Sequence, residues 1–203
     1  MKLYYMPGAC SLASHITLRE TGAAFDLDKV DGKQKRTERG ADFTAINPKG
    51  YVPVLALDDG EVLTEGAAIL QYIADQHPKA GLAPAAGTLA RARLQEQLNF
   101  VASELHKAYS PLFNPALPEP EKAAARERVG QKLDVMETLL SDGRSYLVGD
   151  SFSVADAYFF VVANWSGHTG IDLERWPHVA AYQQRIAARE TVQAALKAEG
   201  LAA

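Results

Sequence analysis

The chain has 203 residues, 47% of them apolar and 23% charged, a balance that excludes a disordered chain and fits one large or two small globular domains. Its formal net charge of −4, with no long basic run, excludes a general attraction to nucleic acid. A single cysteine, Cys10, excludes an intrachain disulfide framework and suits a reducing compartment, so a cytoplasmic protein is expected.

Lys2–Tyr5 reads as a strand. After Met6-Pro7-Gly8-Ala9, Cys10 opens a helix over Ser11–Thr21, with Leu12, Ile16 and Leu18 at helical spacing and Gly22 as the stop. Residues 25–30 read as a second strand, 32–39 as a charged loop, and 42–46 as a short helix ended by Asn47-Pro48. Residues 52–57 and Val62–Thr64 flank Asp58-Asp59-Gly60, a hairpin signal. Residues 65–77 carry Ala68, Ile69, Tyr72 and Ile73 on one helical face, ended by Pro78. This βαβ–α–ββα order predicts an α/β unit with a small mixed sheet and helices on its faces.

From Thr88 onward strand signals vanish. Helices are predicted at 88–109, 121–140, 154–165, 179–188 and 191–198. The expected division is an α/β domain over 1–79, a linker over 80–87, and an all-helical domain over 88–203. Within Asp150-Ser151-Phe152-Ser153-Val154-Ala155-Asp156, Ser153 is expected to cap a helix and Asp156 to reach back to its N–H. The five histidines are scattered without zinc-like spacing, so no metal site is expected. The apolar stretch before Cys10 is too short for a signal peptide and Pro7 interrupts it. The most apolar later stretch, 155–165, is well short of a membrane span, so no membrane partner is expected.

Cys10 carries the chemistry most open to inference. A thiol at a helix N-terminus meets unpaired N–H groups and the positive end of the helix dipole, and both favour the reactive thiolate. The competing reading is a small buried hydrophobe. In a thioredoxin-type motif a second cysteine would lie three residues on, where this chain has Ala13. A disulfide formed at Cys10 therefore needs a resolving thiol from another molecule.

Five blocks carry a family resemblance across essentially the whole chain. They are Lys2-Leu3-Tyr4-Tyr5 with Pro7-Gly8-Ala9-Cys10-Ser11-Leu12; Asn47-Pro48-Lys49-Gly50-Tyr51-Val52-Pro53; Leu63-Thr64-Glu65-Gly66-Ala67-Ala68-Ile69; Glu104-Leu105-His106-Lys107; and Phe152-Ser153-Val154-Ala155-Asp156. In this order the chain resembles the cytosolic glutathione transferases, and most closely their bacterial beta class. The resemblance implies a thioredoxin-like N-terminal domain holding glutathione, an all-α domain lining the acceptor site, and a homodimer.

It also implies roles for particular residues. The Val52-Pro53 bond is expected to be cis, leaving the Val52 backbone free for glutathione; an ordinary trans proline at a strand start is the alternative. Glu65 and Gly66 are expected to take the γ-glutamyl group at a helix N-terminus, against a plain dipole-stabilising glutamate. Many relatives have Ser where this chain has Gly66. Lys35 is expected on the glycyl carboxylate, although Lys33 and Arg36 lie close in sequence and a solvated charge run competes. At 3.6 residues per turn Asn99, Ser103 and His106 share a face, with Glu104 nearby. The resemblance brings His106 to the glutathione sulfur and the other polar residues to the partner subunit's ligand; a satisfied core histidine is the alternative. Tyr5, or Ser11, is a further candidate to support the thiolate, and Tyr5 equally suits packing. Tyr109, Phe113, Trp165 and His168 are candidate walls of the acceptor site, each equally a core residue.

The expected activity is conjugation of the glutathione thiolate to a small hydrophobic electrophile, with thiol–disulfide exchange through Cys10 and dehalogenation as further chemistries. Glutathione is then a co-substrate, and no bound cofactor is expected. The alternative is a non-catalytic binding or stress protein on the same scaffold.

Overall fold

The computed structural model describes residues 1–201, which divide into two compact units. The first comprises residues 1–83 and the chain from Arg189 onward; the second comprises residues 84–188.

The first unit runs β1 (Lys2–Tyr5), α1 (Ser11–Thr21), β2 (Asp26–Asp31), β3 (Arg36–Thr37), α2 (Phe43–Ile46), β4 (Val54–Ala56), β5 (Val62–Thr64) and α3 (Gly66–Gln76). The strands form one mixed sheet in the order β3-β2-β1-β4-β5. β1 and β2 are parallel because α1 carries the chain back over the sheet, with Tyr4 opposite Asp28. β4 and β5, joined by the Asp58-Asp59-Gly60 turn, are antiparallel, as are β1 with β4 and β2 with β3. β3 falls inside the stretch read as a charged loop. At two residues it is too short to leave a pattern.

Side chains of β1 alternate between two cores. Leu3 and Tyr5 join Leu18 of α1, Leu55, and Ile69 and Ile73 of α3. Tyr4 faces the other way, with Val30, Phe43 of α2 and Val54. Every residue of α1 from Ser11 to Leu18 is buried, polar ones included. That helix packs against β1 and α3 and also against α10 (Glu190–Ala198), so it has no solvent face to mark with charge.

The second unit contains α4 (Leu89–Phe100), a π-helical stretch at Val101–Leu105, α5 (His106–Tyr109), α6 (Glu119–Leu140), α7 (Val154–Asn164), α8 (Ser166–Thr169) and α9 (Pro177–Ala187). Thr88 caps α4 by accepting the Arg91 N–H. α7 is apolar on all sides, is buried from Val154 to Ala163, and packs against α4 and α9. Asp156 reaches back to the Ser153 N–H at 2.8 Å, as the capping pattern predicts. Its other oxygen accepts from the Leu147 N–H at 2.8 Å and the Tyr182 hydroxyl at 2.6 Å.

Two further features depart from the sequence-based expectation. The stretch 88–109 is not one regular α-helix: the His106 N–H donates to the Val101 carbonyl, five residues back. The segment read as the last helix of an all-helical domain, α10, groups instead with the α/β unit. Arg189 and Thr191 bind Glu20 at the end of α1, and Glu199 binds His15 in its middle. Among the described residues, no helix is long and apolar enough to cross a membrane, and no cluster of three His, Cys, Asp or Glu side chains could hold a metal ion.

Candidate active site

Cys10 is half-buried at the N-cap of α1, with helical backbone angles. Its Sγ lies 3.5 Å from the Val52 carbonyl oxygen. The Val52-Pro53 peptide bond is cis. A Cβ built on Gly66 at the start of α3 would lie 3.8 Å from the Pro53 ring. One corner of the first unit thus gathers the N-terminus of α1, the turn entering β4 and the N-terminus of α3.

Two further residues edge this corner. Lys35 Nζ donates to the Gly50 carbonyl at 3.0 Å, and Lys49 Nζ donates to Glu65 Oε1 at 2.7 Å. Lys35 and Glu65 are the non-glycine residues with positive φ among the described residues, at 54° and 70°. Such angles are disfavoured for side chains with a Cβ and persist where the surroundings impose them. Asn47, buried, fixes the intervening turn: its Nδ2 donates to the Tyr51 carbonyl at 2.8 Å and its Oδ1 accepts the Lys49 N–H at 3.2 Å. At the start of α3 the first backbone N–H groups have no intrahelical acceptor, which suits an anionic group.

Tyr5 and Ser11 serve the framework. Tyr5 is buried in the sheet core, where burial raises its phenol pKa and keeps it protonated. The Ser11 hydroxyl donates to the Met6 carbonyl at 3.2 Å and accepts the Met6 N–H at 3.1 Å, closing the turn out of β1.

That turn has a brace absent from the sequence-based expectation. The Gly8 N–H donates to Glu199 Oε2 at 3.0 Å, and Glu199 Oε1 lies 2.8 Å from His15 Nδ1. Arg19 Nε donates to His15 Nε2 at 2.9 Å. His15 therefore carries its proton on Nδ1 and donates it to the carboxylate. Gly8 has φ +70°, and Leu201 would meet a Cβ there at 3.7 Å.

In the second unit, the extra residue of the π turn rotates α5 about the helix axis relative to α4. Asn99 and Ser103 are exposed, and the Ser103 hydroxyl donates to the Asn99 carbonyl at 2.9 Å. Glu104 pairs with Lys132 of α6 at 2.7 Å. His106 is instead half-buried against α7, its Nδ1 2.9 Å from the Tyr158 hydroxyl. The single polar face predicted for Asn99, Ser103 and His106 is broken by this turn. Burial, with the Lys107 charge alongside, pushes the His106 imidazole down to about 4, so it is neutral at pH 7.

Trp165 brings three of the predicted aromatic positions together. Its ring meets His106 at 4.8 Å, Phe113 at 5.2 Å and Tyr109 at 5.8 Å, all near edge-on. Tyr109 is fully buried, with its hydroxyl 2.5 Å from Ser166 Oγ and its pKa pushed up to about 12 by burial. Phe113 is half-exposed, and His168 is exposed on α8.

Comparison with known proteins agrees with this architecture. Residues 8–76 match the family model of the glutathione S-transferase N-terminal domain, and residues 100–190 match that of the C-terminal domain. Glutathione S-transferase GstA of Escherichia coli O157:H7 is 49% identical over 201 residues, covering 99% of this chain and 100% of that protein. The bacterial beta class glutathione S-transferase of Sphingomonas chungbukensis superposes with a TM-score of 0.95 at 54% identity, covering 99% and 100% of the two chains. A sphingomonad glutathione S-transferase complexed with glutathione gives the same TM-score and identity, with 100% of both chains covered. The chain belongs to the glutathione S-transferase family, in its bacterial beta class, with a thioredoxin-like first unit and a helical second one.

Proposed function

We propose that this chain conjugates the glutathione thiolate to small electrophilic, often aromatic, substrates, and that Cys10 also performs glutathione-dependent thiol–disulfide exchange. The observation that carries this reading is the approach of Cys10 Sγ to the Val52 carbonyl, beside Pro53 and at a helix N-terminus. A backbone segment outside the strand ladder, suited to pairing with an extended peptide, then lies beside a thiol at a helix N-terminus, where the dipole favours its ionised form. A sphingomonad relative at 54% identity is complexed with glutathione, which supports the same ligand here.

In this reading the Val52 backbone pairs with the cysteinyl residue of glutathione. The N-terminus of α3, with Glu65 and Gly66, takes the γ-glutamyl end: N–H groups hold its carboxylate and Glu65 accepts from its ammonium. Lys35 takes the glycyl carboxylate. His106, neutral, serves the sulfur through a hydrogen bond and not as a cation. Phe113, Trp165, Tyr109 and His168 are assigned to the acceptor side. We place the chain in a homodimer, on the family resemblance, with Asn99, Ser103 and Glu104 directed to the partner subunit's glutathione.

Conjugation forms a carbon–sulfur bond as the thiolate attacks an electrophilic carbon. With an aryl halide, the halide leaves with the bonding electron pair and the thiol proton passes to solvent. Exchange runs in two steps. The Cys10 thiolate attacks the glutathione sulfur of a mixed disulfide and expels the other thiolate. A second glutathione thiolate then attacks that adduct, releasing glutathione disulfide and restoring the Cys10 thiolate. No internal cysteine competes for the adduct.

Calorimetry with glutathione, followed by turnover of an aryl halide and of a glutathione mixed disulfide, tests this. Binding with both turnovers is expected. Binding with neither turnover overturns the enzymatic reading in favour of a non-catalytic binder, and absence of binding overturns the ligand assignment.

A further inference from the structure

The geometry points to Tyr158 as the positioning residue that sets the tautomer of His106: its hydroxyl donates to Nδ1, and the ring proton is held on Nε2. Tyr158 is buried in α7, the most enclosed helix of the second unit, so its hydroxyl occupies a fixed point. That oxygen lies 2.9 Å from Nδ1, and the two rings meet edge-on at 6.1 Å and 88°. Trp165, itself buried, meets the imidazole at 4.8 Å and 72°. The π turn ahead of His106 gives the ring this approach to α7.

A neutral imidazole has one donor nitrogen and one acceptor nitrogen, and the hydrogen bond at one decides the state of the other. Two arrangements satisfy the 2.9 Å contact. In one, the phenol O–H donates to Nδ1; in the other, Nδ1–H donates to the phenol oxygen. A phenol is the stronger acid of the two donors, and imidazole nitrogen is a stronger base than phenol oxygen, so O–H to N is the better match. Nδ1 is then the acceptor and Nε2–H the remaining donor.

This deepens the proposed function and rests on it for the sulfur and for its place beside His106; the tautomer assignment itself rests on the Tyr158–His106 contact. An Nε2–H group can hold a thiolate by donating to it, but cannot take a thiol proton. His106 then lowers the thiol pKa of bound glutathione as a hydrogen-bond donor, and the proton leaves to solvent. In this scheme Tyr158 acts on the sulfur through the imidazole.

Nitrogen-15 NMR of histidine-labelled protein at pH 7 without glutathione reads the tautomer directly. A protonated Nε2 and a bare Nδ1 on His106 are expected; a protonated Nδ1 overturns the assignment, whatever becomes of any variant. In Tyr158→Phe the signals should shift toward a tautomer mixture. The bound-glutathione thiol pKa, read from thiolate absorbance against pH, should rise by about half a unit to one unit, the worth of one hydrogen bond. An unchanged tautomer in Tyr158→Phe removes Tyr158 from this role. A wild type with the Nε2–H signature that binds no glutathione sinks the proposed function and leaves the tautomer assignment standing.

Discussion

The Glu199 carboxylate and the His15 imidazole form a fully buried pair at 2.8 Å, linking the end of the chain to the middle of α1. Because the same carboxylate accepts the Gly8 N–H, it also fixes the turn that presents Cys10. Glu199→Ala leaves the buried His15 Nδ1–H without its acceptor and takes one acceptor from the half-buried Gly8 N–H, at a cost of roughly 2 kcal/mol. We expect a lowered unfolding midpoint in calorimetry, together with a changed alkylation rate of Cys10 in the still-folded protein. Wild-type values for both would mean that Glu199 does not brace the turn. Glu199→Gln, which keeps one acceptor oxygen, should fall between the two.

Cys10 separates the two chemistries. Cys10→Ala removes the nucleophile of disulfide exchange but leaves Val52, Glu65, Gly66 and Lys35, to which glutathione binding is assigned. Mixed-disulfide reduction should fall to background and intact-mass spectra should show no glutathione adduct. Aryl conjugation should persist at a reduced rate. Equal rates of mixed-disulfide reduction in variant and wild type would remove Cys10 from the exchange.

The parts of this site legible in the sequence are those set by adjacent residues. Cys10 announces itself because a strand, a Pro-Gly turn and a helix start stand close together at the beginning of the chain. Val52-Pro53 and Glu65-Gly66 are legible only through the family resemblance, because a proline at a strand start and an acidic residue in a first helical turn each have an ordinary local explanation. Tyr158 and Glu199 are not legible, because their partners lie 52 and 184 residues away and nothing local marks a buried tyrosine or a late glutamate as theirs. The π turn is equally silent, since Val101-Ala102-Ser103-Glu104-Leu105 contains neither Gly nor Pro and fits an α-helix as well. It separates His106 from Asn99 and Ser103, which a regular helical period would join.

Gly66 offers a gain-of-function test. Its backbone is not in the left-handed region, and an added Cβ would make only ordinary contact with Pro53. Gly66→Ser is therefore sterically permitted and places a hydroxyl where the γ-glutamyl carboxylate is assigned. One added hydrogen bond is worth about 1 kcal/mol, or roughly fivefold in affinity. We expect KM for glutathione to fall by that order, with kcat nearly unchanged. An unchanged KM in a folded variant would move the γ-glutamyl group away from the start of α3.

His106 predicts a pH dependence of stability. Burial and the neighbouring Lys107 lower its pKa from the ordinary 6.5 to about 4 in the folded chain. Between those values the unfolded chain binds a proton that the folded chain refuses, so stability rises with pH there. The contribution is fully present above pH 6.5 and is lost as pH falls through about 4. At about 1.4 kcal/mol per unit, the loss attributable to this one group reaches roughly 3 kcal/mol. His106→Gln cannot titrate, so its urea-unfolding free energy should decline less steeply than that of wild type across this interval. Parallel curves for the two proteins would mean that His106 is protonated as readily in the folded chain as in the unfolded one.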